Sequence, residues 1–214
     1  MSQIMLGAAC VLLAYLTGSI PSGYIVARVR GVNIQQVGSG NIGVTNVLRA
    51  VGTVPAVLVA VADPLKGVLA ALLPLWFGLG PWWAAACGLA VVLGNDYNVF
   101  LKFRGGKGIA TSFGVLIVFS PVSALVSLFL GIYAIALSRF VSLGSLIGLA
   151  TAPLLQLLLP GTEPAYTVLA FALALLGTWR HRDNIARLAA GNENRLGRKA
   201  DPKLDRAEDV TPPG

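Results

Sequence analysis

Seven runs of apolar residues follow one another along this chain, separated by short polar segments. They cover about residues 4–27, 54–80, 82–101, 109–119, 121–137, 141–159 and 165–179. A helix that crosses a bilayer needs about 20 apolar residues, because each residue adds ~1.5 Å toward a hydrocarbon thickness of about 30 Å. The pattern therefore predicts an all-α, polytopic membrane protein.

The two runs on either side of Ser120-Pro121 could form two short spans or one long helix. We decide between them by the rule that cytoplasmic loops carry the excess of Lys and Arg. Seven spans with the N-terminus outside place every basic residue except Lys66, which lies within a span, on the cytoplasmic side. Merging the two runs would move Arg139 and the basic C-terminal segment outside. We therefore predict seven transmembrane helices, with the N-terminus outside and the C-terminus cytoplasmic.

The chain divides into a membrane domain, residues 1–198, and a polar tail, residues 199–214, which we expect to be disordered because it is charged and rich in proline. No basic residue precedes the first apolar run, so we interpret that run as a retained helix and not as a signal peptide. The first span thus counts among the seven.

Composition supports the membrane class. Hydrophobic residues make up 56% of the chain and charged residues 12%, against about 25% charged in soluble domains. The net charge of +7 then reflects the orientation signal and attraction to anionic lipid rather than nucleic-acid binding. Cys10 and Cys87 both lie in apolar runs, which predicts neither a disulfide framework nor a metal site.

The polar segments whose residues are suited to binding or catalysis all fall on the predicted cytoplasmic side. They contain "GSGNIGVTNVLR", "KFRGGKG", "SRFVSLGS" and "RHRDNIARLAAGNENR", whereas the outer loops "GLGP" and "LPGTEP" carry only Glu163. An enzyme with cytosolic substrates explains this asymmetry. A small anion transporter, the competing interpretation, would need polar groups at both mouths.

Two of these segments are glycine-rich. Gly38-x-Gly40-x-x-Gly43 has the spacing of a dinucleotide fingerprint but lacks the preceding strand, and "GGKG" lacks the spacing of a phosphate-binding P-loop. Backbone N–H groups in such loops can nonetheless form an anion nest, and nearby Arg49, Arg104 and Lys107 add positive charge. The pattern predicts binding of phosphate groups; glycines that merely permit tight turns are the alternative.

Three ionisable residues stand out. Asp63 and Lys66 share one helix face within a span, where charges are costly and often functional; a structural ion pair is the alternative. His181 is the only histidine, so it cannot build a zinc site. Since Ala186 stands five residues later, it also does not begin a His-x-x-x-x-Asp acyltransferase motif. His181 could instead complement the C-terminal end of the last helix.

Six segments, in order, carry a resemblance that spans roughly residues 18–197: "GSIPSGY", "GSGNIGVTNVLR", "DPLKG", "KFRGGKGIATS", "SLGS" and "HRDNIARL" with "GNENR". The chain resembles the bacterial acyl-phosphate:glycerol-3-phosphate acyltransferase family. The resemblance implies transfer of a fatty acyl group from acyl phosphate to the sn-1 hydroxyl of glycerol 3-phosphate, with lysophosphatidic acid and phosphate as products. It implies an active site at the cytoplasmic face of the bacterial inner membrane, contact with membrane lipid, and no cofactor or metal.

The resemblance also implies the site residues. We expect the catalytic group to be Lys107, Ser142, His181 and Asn184, with His181 and Asn184 orienting the hydroxyl and a substrate phosphate taking the proton. We expect the substrate-binding group to be Ser39, Gly40, Asn41, Thr45, Asn46, Arg49, Asp63, Lys66, Arg104, Gly105, Gly106, Gly108, Thr111 and Glu193.

The chain departs from the family pattern at a few positions. Asn95 stands where the family usually has histidine, and Asn98 and Ile42 replace prolines. Because Asn95 cannot titrate, no proton transfer can depend on it. A CDP-alcohol phosphatidyltransferase is a further alternative, but the clustered aspartates that bind its metal are missing from the sequence. The acyl-chain preference and the oligomeric state are not indicated.

Overall fold

The computed structural model describes residues 2–197, and their regular structure is entirely helical. Short 3₁₀ turns lie at Ile34–Gln36 and Val99–Leu101. The predicted tail 199–214 and the last residue of the predicted membrane domain lie outside the described residues. The helices are α1 Gln3–Gly18, α2 Ser22–Val29, α3 Val44–Ala50, α4 Thr53–Trp76, α5 Pro81–Asp96, α6 Ile109–Phe119, α7 Pro121–Ser138, α8 Val141–Leu158, α9 Pro164–Arg180 and α10 Arg182–Ala189.

Prolines set several of the helix ends. Pro81, Pro121 and Pro164 occupy the first turn of α5, α7 and α9, where a missing backbone N–H costs nothing. The chain therefore forms two helices around Ser120 and not one long helix. The first apolar run, 4–27, is divided at Pro21 into α1 and α2, a break that our single first span did not include.

Five segments of the described chain are long and apolar enough to cross a bilayer: Gln3–Val29, Thr53–Trp76, Pro81–Leu101, Pro121–Ser138 and Val141–Leu158. Helix α6 has only 11 residues, or about 16 Å, roughly half of a hydrocarbon core. Helix α9 has 17 residues, or about 26 Å. The structure thus supports a multi-pass helical protein, while the count of seven spans and the orientation of the termini remain predictions.

Close helix contacts depend on residues without side chains. A Cβ on Gly18 of α1 would stand 1.9 Å from the carbonyl oxygen of Val91 of α5, and one on Gly114 of α6 would stand 1.9 Å from that of Pro64 of α4. Small residues allow membrane helices to approach in this way. The antiparallel packing brings the C-terminal ends of α5, α7 and α9 together with the N-terminal ends of α4, α6 and α8, and the polar segments meet there.

Candidate active site

Polar segments from distant parts of the chain surround a cavity of about 530 Å³. Its wall contains the loop before α3, the first turn of α6, the N-terminal end of α8 and the segment from His181 to Asn194. The convergence of residues 38–49, 105–108 and 181–184 that phosphate binding requires is therefore present. The polar lining residues are Ser39, Asn41, Thr45, Asn46, Arg49, Asp63, Asn95, Lys107, Thr111, Ser142, Ser145, His181, Asn184, Arg187, Glu193 and Asn194.

Most of the predicted site residues line this cavity, including all four predicted catalytic residues. Gly40, Lys66, Arg104 and Gly105 are outside the lining. Gly40 forms a turn with a left-handed φ of 66°, and Arg104 is exposed, with its backbone oxygen bonded to Gln35. The expected binding roles of these four residues therefore have no geometric support.

Asn46 organises the first glycine-rich loop. Its side-chain nitrogen donates to the carbonyl oxygens of Ile34, Val37 and Asn41 at 3.2, 2.9 and 2.9 Å, and its side-chain oxygen accepts from the N–H of Ser39 at 3.1 Å. Because both polar atoms of this buried amide are occupied, Asn46 shapes the loop more than it can bind a ligand. Ser39, Asn41 and Thr45 reach the cavity as a result.

The second glycine-rich loop uses its amides differently from the predicted nest. The N–H groups of Gly105 and Gly106 donate to the carbonyl oxygens of Asp96 and Asn95, at 3.2 and 2.8 Å. Other backbone N–H groups are available at the start of α6. Residues 108–111 line the cavity, and the first N–H groups of a helix have no intrahelical acceptor. A helix N-terminus favours an anion, so phosphate would bind at the start of α6.

Lys107 lies at the centre of a charged network. Its ammonium donates to the side-chain oxygen of Asn184, whose nitrogen donates to Glu193 Oε1 at 2.8 Å. Arg187 Nε donates to Glu193 Oε2 at 2.9 Å. Burial, followed by the charge of Arg187, lowers the pKa of Lys107 from 10.5 to about 8, against the opposing charge of Glu193. Lys107 is thus a partly buried cation at neutral pH.

His181 is a neutral acceptor in the same wall. Its Nδ1 lies 2.7 Å from the carbonyl oxygen of Gly177, and because a carbonyl only accepts, Nδ1 carries the proton. Burial, followed by the charge of Lys107, lowers the pKa of His181 from 6.5 to about 4. The Nε2 lone pair is therefore available to a substrate hydroxyl near neutral pH.

Two buried hydroxyls of the cavity wall form no hydrogen bond with any residue that the structure describes: Thr111 Oγ1 and Ser142 Oγ. Buried polar groups are normally satisfied, which makes both hydroxyls candidate ligand contacts.

Asp63 also lines the cavity. Its partner Lys66, at 2.9 Å, instead donates to the carbonyl oxygen of Ile20 at 3.0 Å and to Asn95 Oδ1 at 3.2 Å, as a structural ion pair would.

An apolar pocket of about 120 Å³ adjoins the polar cavity between α6, α7 and α8. The two share wall residues: Ile109, Phe113, Leu128, Ile135 and Ser145. Ala124 and Leu149 belong to the wall of the apolar pocket alone. A polar head and an apolar chain of one ligand could therefore occupy adjoining volumes.

Sequence reasoning missed four polar wall residues: Arg187, Asn95, Ser145 and Asn194. Arg187 lies three positions after Asn184 on α10, which places both on one helix face, so its spacing was a usable signal. Asn95 was noted only as a departure from a pattern. No sequence signal distinguishes Ser145 or Asn194 from the polar residues next to them.

The chain is similar to known proteins over most of its length. A family model described as glycerol-3-phosphate acyltransferase matches residues 8–191. Glycerol-3-phosphate acyltransferase 1 of Deinococcus radiodurans is 51% identical over 189 residues, which are 88% of this chain and 95% of the relative. A glycerol-3-phosphate acyltransferase of Thermus thermophilus is 50% identical over 194 residues, 90% of this chain and 96% of the relative.

Solved structures are similar over the same extent. The crystal structure of PlsY (YgiH), an integral membrane glycerol 3-phosphate acyltransferase, in its glycerol 3-phosphate form has a TM-score of 0.85 and 40% sequence identity, covering 89% of this chain and 96% of that one. The lysophosphatidic acid form of PlsY has a TM-score of 0.83 and covers 95% of its own chain.

Proposed function

This chain belongs to the glycerol-3-phosphate acyltransferase family, and we propose that it transfers a fatty acyl group from acyl phosphate to the sn-1 hydroxyl of glycerol 3-phosphate. It is a multi-pass membrane protein and a glycerol-3-phosphate acyltransferase. The acyl-phosphate donor, the sn-1 position and the products, lysophosphatidic acid and inorganic phosphate, are the proposed part.

One observation carries this proposal: a polar cavity with cations in its wall adjoins an apolar pocket between helices, and the two share wall residues. The acyl phosphate is an amphiphile, so its chain would enter the apolar pocket and its phosphate the polar cavity. Glycerol 3-phosphate would add a second anion to the same cavity. Lys107, Arg187 and Arg49 lie in the wall, and their charges offset the phosphates where water is scarce.

The chemistry follows from the groups present. The sn-1 hydroxyl oxygen attacks the acyl carbonyl carbon, a C–O bond forms, and the bond from that carbon to the phosphate oxygen breaks. The phosphate leaves with the electron pair. Neutral His181 Nε2 would accept a hydrogen bond from the hydroxyl and orient it, while Lys107 stabilises the charge that develops on the phosphate.

The proton requires a separate acceptor. A histidine whose pKa is about 4 is a weak base, whereas a phosphate ester has a second pKa of about 6. We therefore propose that the hydroxyl proton moves to an oxygen of the departing phosphate, directly or through the phosphate of glycerol 3-phosphate. Positioning and charge stabilisation supply the catalysis, and no covalent enzyme intermediate is needed, because the donor is already activated.

We also propose that the protein crosses the bacterial inner membrane seven times, with the active site on the cytoplasmic side. The supporting observation is the distribution of Lys and Arg along the sequence. Thr162→Cys and Arg104→Cys, each as the single cysteine in a Cys10→Ser/Cys87→Ser background, would test it. A membrane-impermeant maleimide added to intact spheroplasts should label the first variant and not the second.

Turnover by purified protein in detergent micelles tests the reaction. Hexadecanoyl phosphate with glycerol 3-phosphate should release phosphate and form 1-acyl lysophosphatidic acid in equal amounts, identified by NMR. No product should form when glycerol replaces glycerol 3-phosphate or when an acyl thioester replaces hexadecanoyl phosphate. A transporter would show no turnover without a membrane barrier, so a silent micelle assay with a folded protein would refute the proposal.

A further inference from the structure

Arg180, the last residue of α9, binds the second glycine-rich loop. Its Nε and Nη2 both donate to the carbonyl oxygen of Gly106, at 3.1 and 2.7 Å. Arg180 is not part of the cavity wall. The two segments that it joins are 74 residues apart in sequence, and the residues that follow Gly106 and Arg180, Lys107 and His181, both face the cavity.

The guanidinium of Arg180 also contacts an aromatic ring and a carboxylate. It lies 5.1 Å from the centre of the Tyr97 ring, and its Nε is 3.9 Å from Asp96 Oδ2. Within residues 2–197, that fully buried oxygen accepts no hydrogen bond, so Arg180 is its compensating charge. An aromatic face and a carboxylate together fix the plane of a guanidinium, and a lysine in the same place would have no comparable orientation.

The peptide unit that precedes Gly106 is also fixed. Its N–H donates to the carbonyl oxygen of Asn95 at 2.8 Å. The Asn95 side chain accepts from Lys66 Nζ at 3.2 Å and donates to Asp96 Oδ1 at 3.2 Å. Rotation of residue 106 would therefore break bonds on both sides at once.

We propose that Arg180 is a positioning residue for the acyl transfer, which holds the Gly106 carbonyl so that Lys107 points at Asn184 and at the phosphate groups of the substrates. The inference rests on the proposed function of the same site. We assign its effect to the two hydrogen bonds with the carbonyl of Gly106, the residue before Lys107, and Arg180→Lys keeps the charge at this position.

The test replaces Arg180 by lysine, which keeps the positive charge and loses the two-pronged contact. We expect kcat/KM to fall by about tenfold to a hundredfold, the loss that a displacement of about 1 Å of a catalytic group produces. Arg182→Lys is the matched control, because Arg182 is exposed, two positions away, and stacks on Trp179 outside the cavity. Its kcat/KM should remain within about twofold, as expected for a surface position.

A double-mutant cycle with Lys107→Ala shows whether Arg180 acts through Lys107. If it does, adding Arg180→Lys to Lys107→Ala should change kcat/KM by less than about twofold, because coupled residues are not additive. If Lys107→Ala has no measurable turnover, the affinity of the same variants for inorganic phosphate, measured by titration calorimetry, shows whether the two residues are coupled. Gly106→Ala provides an independent variant, since its Cβ would stand 2.7 Å from Asn95 Nδ2 and would disturb the same peptide.

Two results would overturn the proposal: full activity of Arg180→Lys, or independent, multiplying losses in the cycle. An equal loss in Arg182→Lys would show that this segment is generally sensitive to the exchange of arginine for lysine, and it would also overturn the proposal. Failure of the proposed function is distinguishable, because the unmodified protein would then release no phosphate from the two substrates. If Arg180→Lys does not fold, Gly106→Ala in the same cycle decides the question.

Discussion

The lowered pKa of Lys107 predicts an alkaline limit to activity. A displacement from 10.5 to about 8 means that the site disfavours the ammonium form by about 3 kcal/mol, since one pH unit corresponds to about 1.4 kcal/mol. The cation that we assign to the departing phosphate is therefore present below pH 8 and lost above it. Phosphate esters are already dianions in this range, because their second pKa is about 6.

The expected profile is quantitative. In the free enzyme, kcat/KM should be level near pH 7 and fall about tenfold for each unit above pH 8, because this parameter reports pKa values of the free enzyme. Bound phosphate stabilises the ammonium, so the corresponding limit in kcat should appear at higher pH. Phosphate release in micelles at several pH values, corrected for hydrolysis without glycerol 3-phosphate, gives both curves.

Lys107→Arg is the decisive variant. Arginine stays protonated throughout this range, so the variant should have lower activity at pH 7 but no decline up to pH 10. A level profile for the unmodified protein to pH 9.5, or the same decline in Lys107→Arg, would refute the assignment of the limit to Lys107. Circular dichroism at each pH must show that helix content is unchanged.

Three further predictions concern the pocket, the loop and the ion pair. Ala124→Leu should lower kcat/KM for hexadecanoyl phosphate about tenfold and that for decanoyl phosphate much less, because it fills the apolar pocket. Gly105→Ala should destabilise the protein in thermal unfolding, since its Cβ would stand 2.0 Å from the carbonyl oxygen of Asn95. Lys66→Met should destabilise by about 3–5 kcal/mol, because it leaves buried Asp63 uncompensated, whereas the double variant with Asp63→Leu should recover much of the loss.

Each of these has a clear contrary result. Equal loss for both donors in Ala124→Leu would place the acyl chain elsewhere. An unchanged melting temperature of Gly105→Ala would contradict the close contact behind the glycine loop. If the double ion-pair variant were stable but inactive, Asp63 or Lys66 would have the substrate role that the sequence suggested. Leu58→Met, at an exposed position of α4, is a suitable control for all three measurements.

Much of the site could be predicted from the sequence because polar segments stand out between apolar runs and resemble the motifs of a known family. Glycine, asparagine and basic residues in polar segments between apolar runs stand out, and 14 of the 18 predicted site residues line the cavity. The sequence did not distinguish the residues that line the cavity from those that hold the surrounding backbone in place. Asn46, Lys66 and Gly105 have the residue types of a phosphate site, yet their polar groups hold the backbone.

Arg180 illustrates the opposite case. In the sequence it is one basic residue among several at a helix end, and its role follows only from a contact with Gly106 across 74 positions. The apolar pocket was equally hidden, because membrane helices are apolar on their lipid faces and on their packed faces alike. Sequence pattern therefore does not tell which side of α7 faces a ligand.

By itself, then, the amino-acid sequence determined the long apolar helices, the break at Pro121 and the chemical character of the polar segments, because hydrophobic length, backbone restrictions and side-chain charge are local properties. Only the tertiary structure decided which groups meet, which hydrogen bonds they have already used and where the apolar pocket lies. These depend on how closely the helices approach, and glycines at the contacts between α1 and α5 and between α4 and α6 set those distances.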